Sequence, residues 1–204
     1  YFPCLKPVSS VKFLYARNDS TTLTFLRPDR PDTLHTVLPF SSSVNQNVVN
    51  DIFTEGTFIF GNTKGLLAYG VVLEDNTGVV VDNFSLRGNL GFMFEQLDAE
   101  NCTAFCEVRP YDLIILQYGL NVVAQGMYQY GWYRNRMTHI VNRIKQYFPQ
   151  SDILLLGVSD RASLQDGIYK TMPEVLSLVQ AQRQVARQTG ITFWNIFGAM
   201  GGEN

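Results

Sequence analysis

Residues 112–118 (DLIILQY) decide the fold, because they are apolar almost throughout and are followed at once by the polar turn of residues 119–121 (GLN). Such a run is typical of a strand buried in a parallel sheet. Two other runs have the same pattern of an apolar stretch followed by a polar motif. Residues 78–84 (GVVVDNF) precede a motif that ends in Gly88, and residues 152–158 (DILLLGV) precede Ser159, Asp160 and Arg161. We therefore predict three strands that each end in a small polar motif.

These motifs lie where an open α/β sheet binds its ligands, in the crevice outside the carboxyl ends of the strands. Gly88 follows one predicted strand and Asn121 follows the next. A backbone amide and a side-chain carboxamide that meet at one edge could together donate hydrogen bonds to an oxyanion. Taken alone, each residue has a simpler explanation, since glycine and asparagine are both common in tight turns.

The strand and helix patterns divide the chain into two domains, 1–77 and 78–204. Residues 1–77 contain short β-like runs separated by Gly, Pro, Asn and Asp, which indicates a β-sandwich or jelly roll. The predicted strands are 11–15, 22–26, 34–40, 57–60 and 65–74. The turn-like residues 17–20 between the first two predict a hairpin.

From residue 78 onward, strands alternate with helices, which favours right-handed crossovers and a parallel sheet. The clearest helix is 130–148, whose apolar residues recur at a spacing of three and four. A weaker helix is predicted over 91–107. Another begins at a capping box, Thr171 to Glu174, and ends at Gly190. Residues 191–197 supply a fourth strand.

Composition excludes several classes of protein. Of the 204 residues, 46% are hydrophobic and 17% are charged, which is typical of a globular protein; the net charge of −2 and the lack of a basic cluster argue against nucleic-acid binding. No apolar run approaches the roughly 18–20 residues of a membrane-spanning helix. The three cysteines, Cys4, Cys102 and Cys106, predict neither a disulfide framework nor a metal site.

The polar motifs carry a resemblance to a known family. The motif from Ser85 to Gly88, followed by Gly119 and Asn121 after the next strand, resembles the second and third blocks of the SGNH (GDSL-like) hydrolases. Residues 157–161 and 193–204 resemble a bacterial branch found in Bacteroidetes-type surface or periplasmic proteins, in which a β-sandwich domain similar to a carbohydrate-binding module is inserted before the second block. The resemblance implies a flavodoxin-like, three-layer α/β fold and an extracytoplasmic location.

The resemblance also implies the chemistry. Gly88 and Asn121 would be the oxyanion-hole donors of an enzyme that hydrolyses esters through an acyl-enzyme, without a cofactor. The substrate would be an acylated, for example acetylated, carbohydrate or cell-wall polymer.

The family's Gly-Asp-Ser and Asp-x-x-His blocks are not found in these 204 residues. Ser20, in Asn18-Asp19-Ser20, is the nearest candidate nucleophile, but we prefer a hairpin turn there because a strand, not a helix, is predicted to follow. His139 and His35 are unpromising bases, since they are predicted on a helix surface and in the β region. We therefore expect the chain to be a piece of a longer protein, with the nucleophile upstream and the base downstream.

Two further groups of residues have both a structural and a functional interpretation. Asp160 and Arg161 could form an ion pair or a turn cap, or could position substrate. The aromatic cluster of Tyr128, Tyr130, Trp132 and Tyr133 could be core or a wall for stacking sugars.

Two other functions compete with the esterase. A non-catalytic carbohydrate-binding or scaffold protein fits the missing serine and histidine equally well. A flavodoxin-like nucleotide binder is less favoured, because no glycine-rich phosphate loop follows a predicted strand.

Overall fold

The computed structural model describes residues 1–17, 19–85 and 88–202. The chain divides into two compact units, residues 1–83 and 84–204. The sequence motifs quoted above include five residues that lie outside the described ones, so the predictions for them are not compared with the structure: Asn18, Leu86, Arg87, Glu203 and Asn204.

The first unit is built on a five-stranded antiparallel sheet in the order β3-β2-β4-β1-β5. Its strands are β1 (Phe2–Ala16), β2 (Thr22–Leu26), β3 (Thr33–Val37), β4 (Asn45–Phe60) and β5 (Leu67–Glu74). All five predicted strands are present, although the sequence pattern found only the end of β4.

The predicted hairpin between the first two strands is wrong. β1 pairs with β4 and β5, and β2 pairs with β3 and the far end of β4, so β4 lies between the two strands that the turn connects. The polar residues of β4 hid it from a search for apolar runs, since Asn45, Asn47 and Asn50 interrupt its pattern.

The sheet curls because β4 bends. Phe13 of β1 is paired with Asn47, yet its ring centroid lies 5.9 Å from that of Phe58. Phe58 is 11 residues beyond Asn47 on the same strand, which would separate the two by about 36 Å if the strand were straight. Apolar side chains from β1, β2, β4 and the residue after β3 are buried in two clusters: Val8, Val11, Phe25 and Phe53 in one, and Phe13, Tyr15, Leu23 and Leu38 in the other.

The second unit contains a three-stranded parallel sheet in the order β10-β7-β6. Along the chain its elements are α1 (Ala99–Val108), β6 (Leu113–Gln117), α2 (Gly131–Tyr147), β7 (Asp152–Leu156), β8 (Ala162–Gln165), β9 (Ile168–Thr171), α3 (Pro173–Thr189), β10 (Thr192–Trp194) and α4 (Ile196–Ala199). A 3-10 turn, Phe92–Gln96, precedes α1. The predicted parallel sheet and its helices are thus confirmed in outline.

Several local predictions are wrong. Residues 78–84 do not form a strand, and Val79 and Val81 are 93% and 83% exposed. The predicted fourth strand is shorter and runs into α4. β8 and β9 form a hairpin that the sequence analysis missed, although Asp166 and Gly167 at its turn both have the positive φ that an Asp-Gly hairpin turn requires.

The capping box is also wrong, because Met172 is the N-cap of α3 and Pro173 occupies the first turn. The side chain of Glu174 bonds elsewhere. At the other end of α3 the prediction is confirmed, since Gly190 terminates the helix with a φ of 66°.

The two faces of the parallel sheet differ. One face, which includes Leu116 and Leu155, packs into the main apolar cluster with α2 and α3. Both helices reach this face because the strand order advances in one direction and the crossovers are right-handed. On the other face, Leu113, Ile115 and Trp194 are 50%, 54% and 58% exposed. The described residues therefore supply two of the three layers that the resemblance implies.

We expect the two faces to respond differently to truncation in this chain. Leu155→Ala, on the buried face, should lower the free energy of unfolding by about 2–5 kcal/mol because it leaves a cavity. Ile115→Ala, on the exposed face, is the matched control and should cost less than about 1 kcal/mol. Denaturant unfolding measures both, and equal losses would contradict this description of the sheet.

Candidate functional site

Asn121 lies in a short turn directly after β6. The backbone turns at Gly119, which has a φ of 129°, and residues Leu120–Val122 then form one 3-10 turn. Val122 and Val123 are buried in the main cluster, whereas Asn121 is exposed. The carboxamide of Asn121 is therefore held at the surface by an anchored backbone, at the carboxyl end of the sheet as predicted.

Gly119 has a second reason to be glycine. A Cβ atom built there would lie 2.8 Å from Nε2 of Gln182, a fully buried side chain on α3. Gln182 donates from Nε2 to the carbonyl oxygen of Tyr118 (2.7 Å) and to the hydroxyl of Tyr133 (3.2 Å), and its Oε1 accepts from the amide of Val158 (2.8 Å). The side chain thus joins the carboxyl ends of β6 and β7.

Gly88 is exposed and has a φ of 78°, a conformation that favours glycine. Three residues later, Gly91 lies against the ring of Tyr118, since a Cβ there would be 3.0 Å from Cγ of that ring. Asn89 accepts a hydrogen bond from the Gly91 amide at 2.6 Å. Gly91, three residues after Gly88, therefore lies beside the strand end that leads to Asn121.

Asp160 and Arg161 do not have the same role. Nη1 of Arg161 donates to two backbone carbonyl oxygens of the neighbouring turn, those of Leu120 (3.1 Å) and Val123 (2.7 Å). Oδ1 of Asp160 is buried and has no hydrogen-bond partner in the described part of the chain. The structural interpretation of Arg161 as a cap for a turn is thus confirmed.

The aromatic cluster divides between core and surface. Tyr130 and Tyr133 are buried in the main cluster, and burial raises the pKa of Tyr133 to about 12. Tyr128 and Trp132 are 50% and 43% exposed. Trp132 packs edge-on against Phe92, with ring centroids 5.9 Å apart. Only the exposed pair could offer a surface to a ligand.

A carboxylate that the sequence analysis assigned to a capping box holds the loop after Asn121. Glu174 is buried at the start of α3 and accepts a hydrogen bond from the amide of Gly126 at 2.6 Å. This bond lowers the pKa of the Glu174 carboxyl, and further bonds to its own backbone and to Tyr128 act in the same direction. The negative charge on Glu174 therefore stabilises the loop.

The remaining candidates, Ser20, His35 and His139, all lie at exposed positions. Ser20 is exposed, with a φ of 58°, in the connection between β1 and β2. His35 is exposed on β3 and bonds to Thr24, and His139 is exposed on α2. The three cysteines are free thiols.

Among the described residues, no group of three or more His, Cys, Asp or Glu side chains is arranged to hold a metal ion. Within the same residues, no helix combines the length and apolar character needed to cross a membrane.

Sequence reasoning missed Gln182 and the role of Glu174. Both are polar residues within the α3 sequence, and a helical pattern alone assigns such residues to the solvent. Gln182 offered one signal, because it falls on the same helical face as the apolar residues Leu178 and Val185. A polar residue on an apolar face indicates a buried hydrogen-bonding role.

The chain aligns with three solved structures of known enzymes. A structure of a peptidoglycan O-acetylesterase in action aligns with 98% of this chain at a TM-score of 0.64 and 19% identity. A family two carbohydrate esterase from Cellvibrio japonicus aligns with 93% of this chain and 77% of its own (TM-score 0.36, 12% identity). The salicylyl-acyltransferase SsfX3 from a tetracycline biosynthetic pathway aligns with 93% and 68% (TM-score 0.33, 15% identity).

The first likeness, at 19% identity, shows a similarity of fold alone. This chain spans about half of the peptidoglycan O-acetylesterase, 55% of its length. No protein-family model and no curated protein sequence matches the chain.

The hydrogen bond to Glu174 predicts a pH dependence. Because the folded state lowers the pKa of this carboxyl, its contribution is complete above the unfolded value of about 4.3 and is lost as the pH falls through the folded value. Glu174→Gln should therefore cost about 1–3 kcal/mol at pH 7 and less at pH 3. Denaturant unfolding at both pH values measures this, with Glu107→Gln on the exposed surface of α1 as the control. A cost that is the same at both pH values would show that the charge of Glu174 does not stabilise the loop.

Proposed function

We propose that this chain is a section of an SGNH-type serine esterase that removes acyl groups, for example acetyl groups, from carbohydrate or cell-wall polymers. The contact between Gly91 and Tyr118 is the observation that carries the proposal. It places Gly91, three residues after Gly88, beside the strand end that leads to Asn121, which supports a common site for Gly88 and Asn121. The similarity in fold to a peptidoglycan O-acetylesterase supports the same class of reaction. An extracytoplasmic location, a β-sandwich accessory domain and the domain boundary near residue 77 belong to this proposal.

In the proposed reaction, a serine oxygen attacks the ester carbonyl carbon and its proton passes to a histidine. The carbonyl oxygen becomes an oxyanion, which accepts hydrogen bonds from the backbone amide of Gly88 and the carboxamide of Asn121. The alcohol then leaves with the proton from the histidine, and water hydrolyses the acyl-enzyme by the same steps. This chain would supply the two donors.

We propose that the serine and the histidine lie in polypeptide outside these 204 residues. The position of His139 supports this, because it is exposed on α2 and is not part of the turn after β6. Ser20 and His35 are exposed in the first unit. The uncovered sheet face at Leu113, Ile115 and Trp194 supports it as well. A parallel sheet normally has both faces covered, so further polypeptide is expected on this face.

The role of Asn121 is tested in a longer protein that contains both missing blocks. Asn121→Ala should lower kcat for a short acyl ester by about 10²–10³-fold, because one oxyanion-hole donor is lost. Asn142→Ala, which removes an exposed asparagine from α2, is the matched control and should leave kcat unchanged. Circular dichroism and the unfolding midpoint establish that both variants fold.

Unchanged turnover in Asn121→Ala would remove this residue from the site. If genomic sequence on both sides of the chain lacked a Gly-Asp-Ser and an Asp-x-x-His block, the alternative of a carbohydrate-binding or scaffold protein would replace the esterase.

The 204-residue chain itself provides a second test. We expect no burst of p-nitrophenol on mixing it with p-nitrophenyl acetate, because the nucleophile and base are not within it. The stopped-flow absorbance should match that of Ser20→Ala. Hydrolysis that is present in the parent chain and absent in Ser20→Ala would instead identify Ser20 as the nucleophile.

A further inference from the structure

The strands β6 and β7 separate at their carboxyl ends, and Gln182 occupies the gap. Their pairing runs to Gln117 opposite Leu156, so the next position would place Tyr118 opposite Gly157. The slanted bonds of a parallel ladder would then join the carbonyl of Tyr118 to the amide of Val158. Instead, both groups bond to the carboxamide of Gln182, at 2.7 and 2.8 Å. The Gln182 side chain thus replaces one hydrogen bond between the two backbones with two hydrogen bonds of its own, and it keeps the strand ends apart.

The orientation of this carboxamide is fixed by its partners. Its oxygen faces an amide, and its nitrogen faces the carbonyl oxygen of Tyr118 and the hydroxyl of Tyr133. A flipped amide would place donor against donor and acceptor against acceptor. Gln182 is fully buried, and both N–H groups of its carboxamide donate hydrogen bonds. The direction of the backbone at Tyr118, where the chain leaves the sheet, is therefore fixed.

Arg161 then holds the turn that follows. Leu120 is the first residue of the 3-10 turn and Val123 is its C-cap. Their two carbonyls therefore bracket the turn. Nη1 of Arg161 donates to both. The backbone of Arg161 is itself fixed, because its carbonyl accepts a bond from the amide of Met172 at 2.8 Å, at the base of the β8–β9 hairpin.

We propose that Arg161 is a positioning residue. Together with the hydrogen bonds of Gln182, it holds the Leu120–Val123 turn and so fixes the carboxamide of Asn121. This inference rests on the proposed function for its effect on turnover. It also makes a claim about the backbone that does not depend on catalysis, since the turn should become mobile when Arg161 is removed.

The backbone claim is tested by hydrogen exchange of the folded 204-residue chain. Arg161→Ala should accelerate exchange at the amides of residues 119–123. Arg161→Lys should restore most of the protection, because a single nitrogen serves both carbonyls and a lysine ammonium can replace it. Arg134→Ala, which removes a hydrogen bond between α2 and α3, is the control and should leave these amides unchanged. Unchanged exchange in Arg161→Ala would overturn the proposal.

The catalytic claim is tested by a double-mutant cycle in the longer protein. Arg161→Ala should lower kcat by up to about 10²-fold with little change in KM, since a transition-state donor is misplaced. Combined with Asn121→Ala, it should cause little additional loss, because it acts through Asn121. Multiplicative losses would show that Arg161 acts independently of Asn121 and would overturn the claim. If Asn121→Ala has no effect while exchange responds to Arg161→Ala, the proposed function fails and the positioning of the turn stands.

Discussion

The arrangement of the α/β unit depends on one buried carboxamide. Gln182 bonds to Tyr118 and Val158 where the strands β6 and β7 would otherwise pair. A buried polar group without partners would be costly, and this one is retained because its donors and its acceptor all find partners. By separating the strand ends, it requires glycine at position 119 and directs the following turn to the surface. The separation of the strand ends is therefore a consequence of packing as well as of loop sequence.

The two faces of the parallel sheet are covered unequally, and this agrees with the proposed chemistry. Its inner face is closed by α2 and α3, while Ile115 and Trp194 on the outer face are more than half exposed. Within the described residues β6 is an edge strand, and Asn121 lies at its end. The proposed nucleophile and base would lie in polypeptide outside these residues, and the edge at β6 and the exposed outer face both leave room for it.

Much of the fold could be predicted because apolar runs and helical periodicity are local signals. The strands at 112–118 and 152–158 and the helix at 130–148 were found in this way. The failures have non-local causes. Strand pairing placed β4 between β1 and β2, and residues 78–84 have a strand's sequence without a strand's conformation. For the site, Asn121 was predicted from its position after a strand, whereas the roles of Gln182 and Glu174 depend on partners that are 24 or more residues away.

The most direct test of the account is a crystal structure of the longer protein inactivated by an alkyl phosphonate, whose oxygen imitates the oxyanion. The account predicts that the amide of Gly88 and Nδ2 of Asn121 both lie about 2.7–3.1 Å from the phosphonyl oxygen, which is bonded to a serine outside these 204 residues. A phosphonyl oxygen bound by other donors, with Asn121 directed away from it, would contradict the central claim.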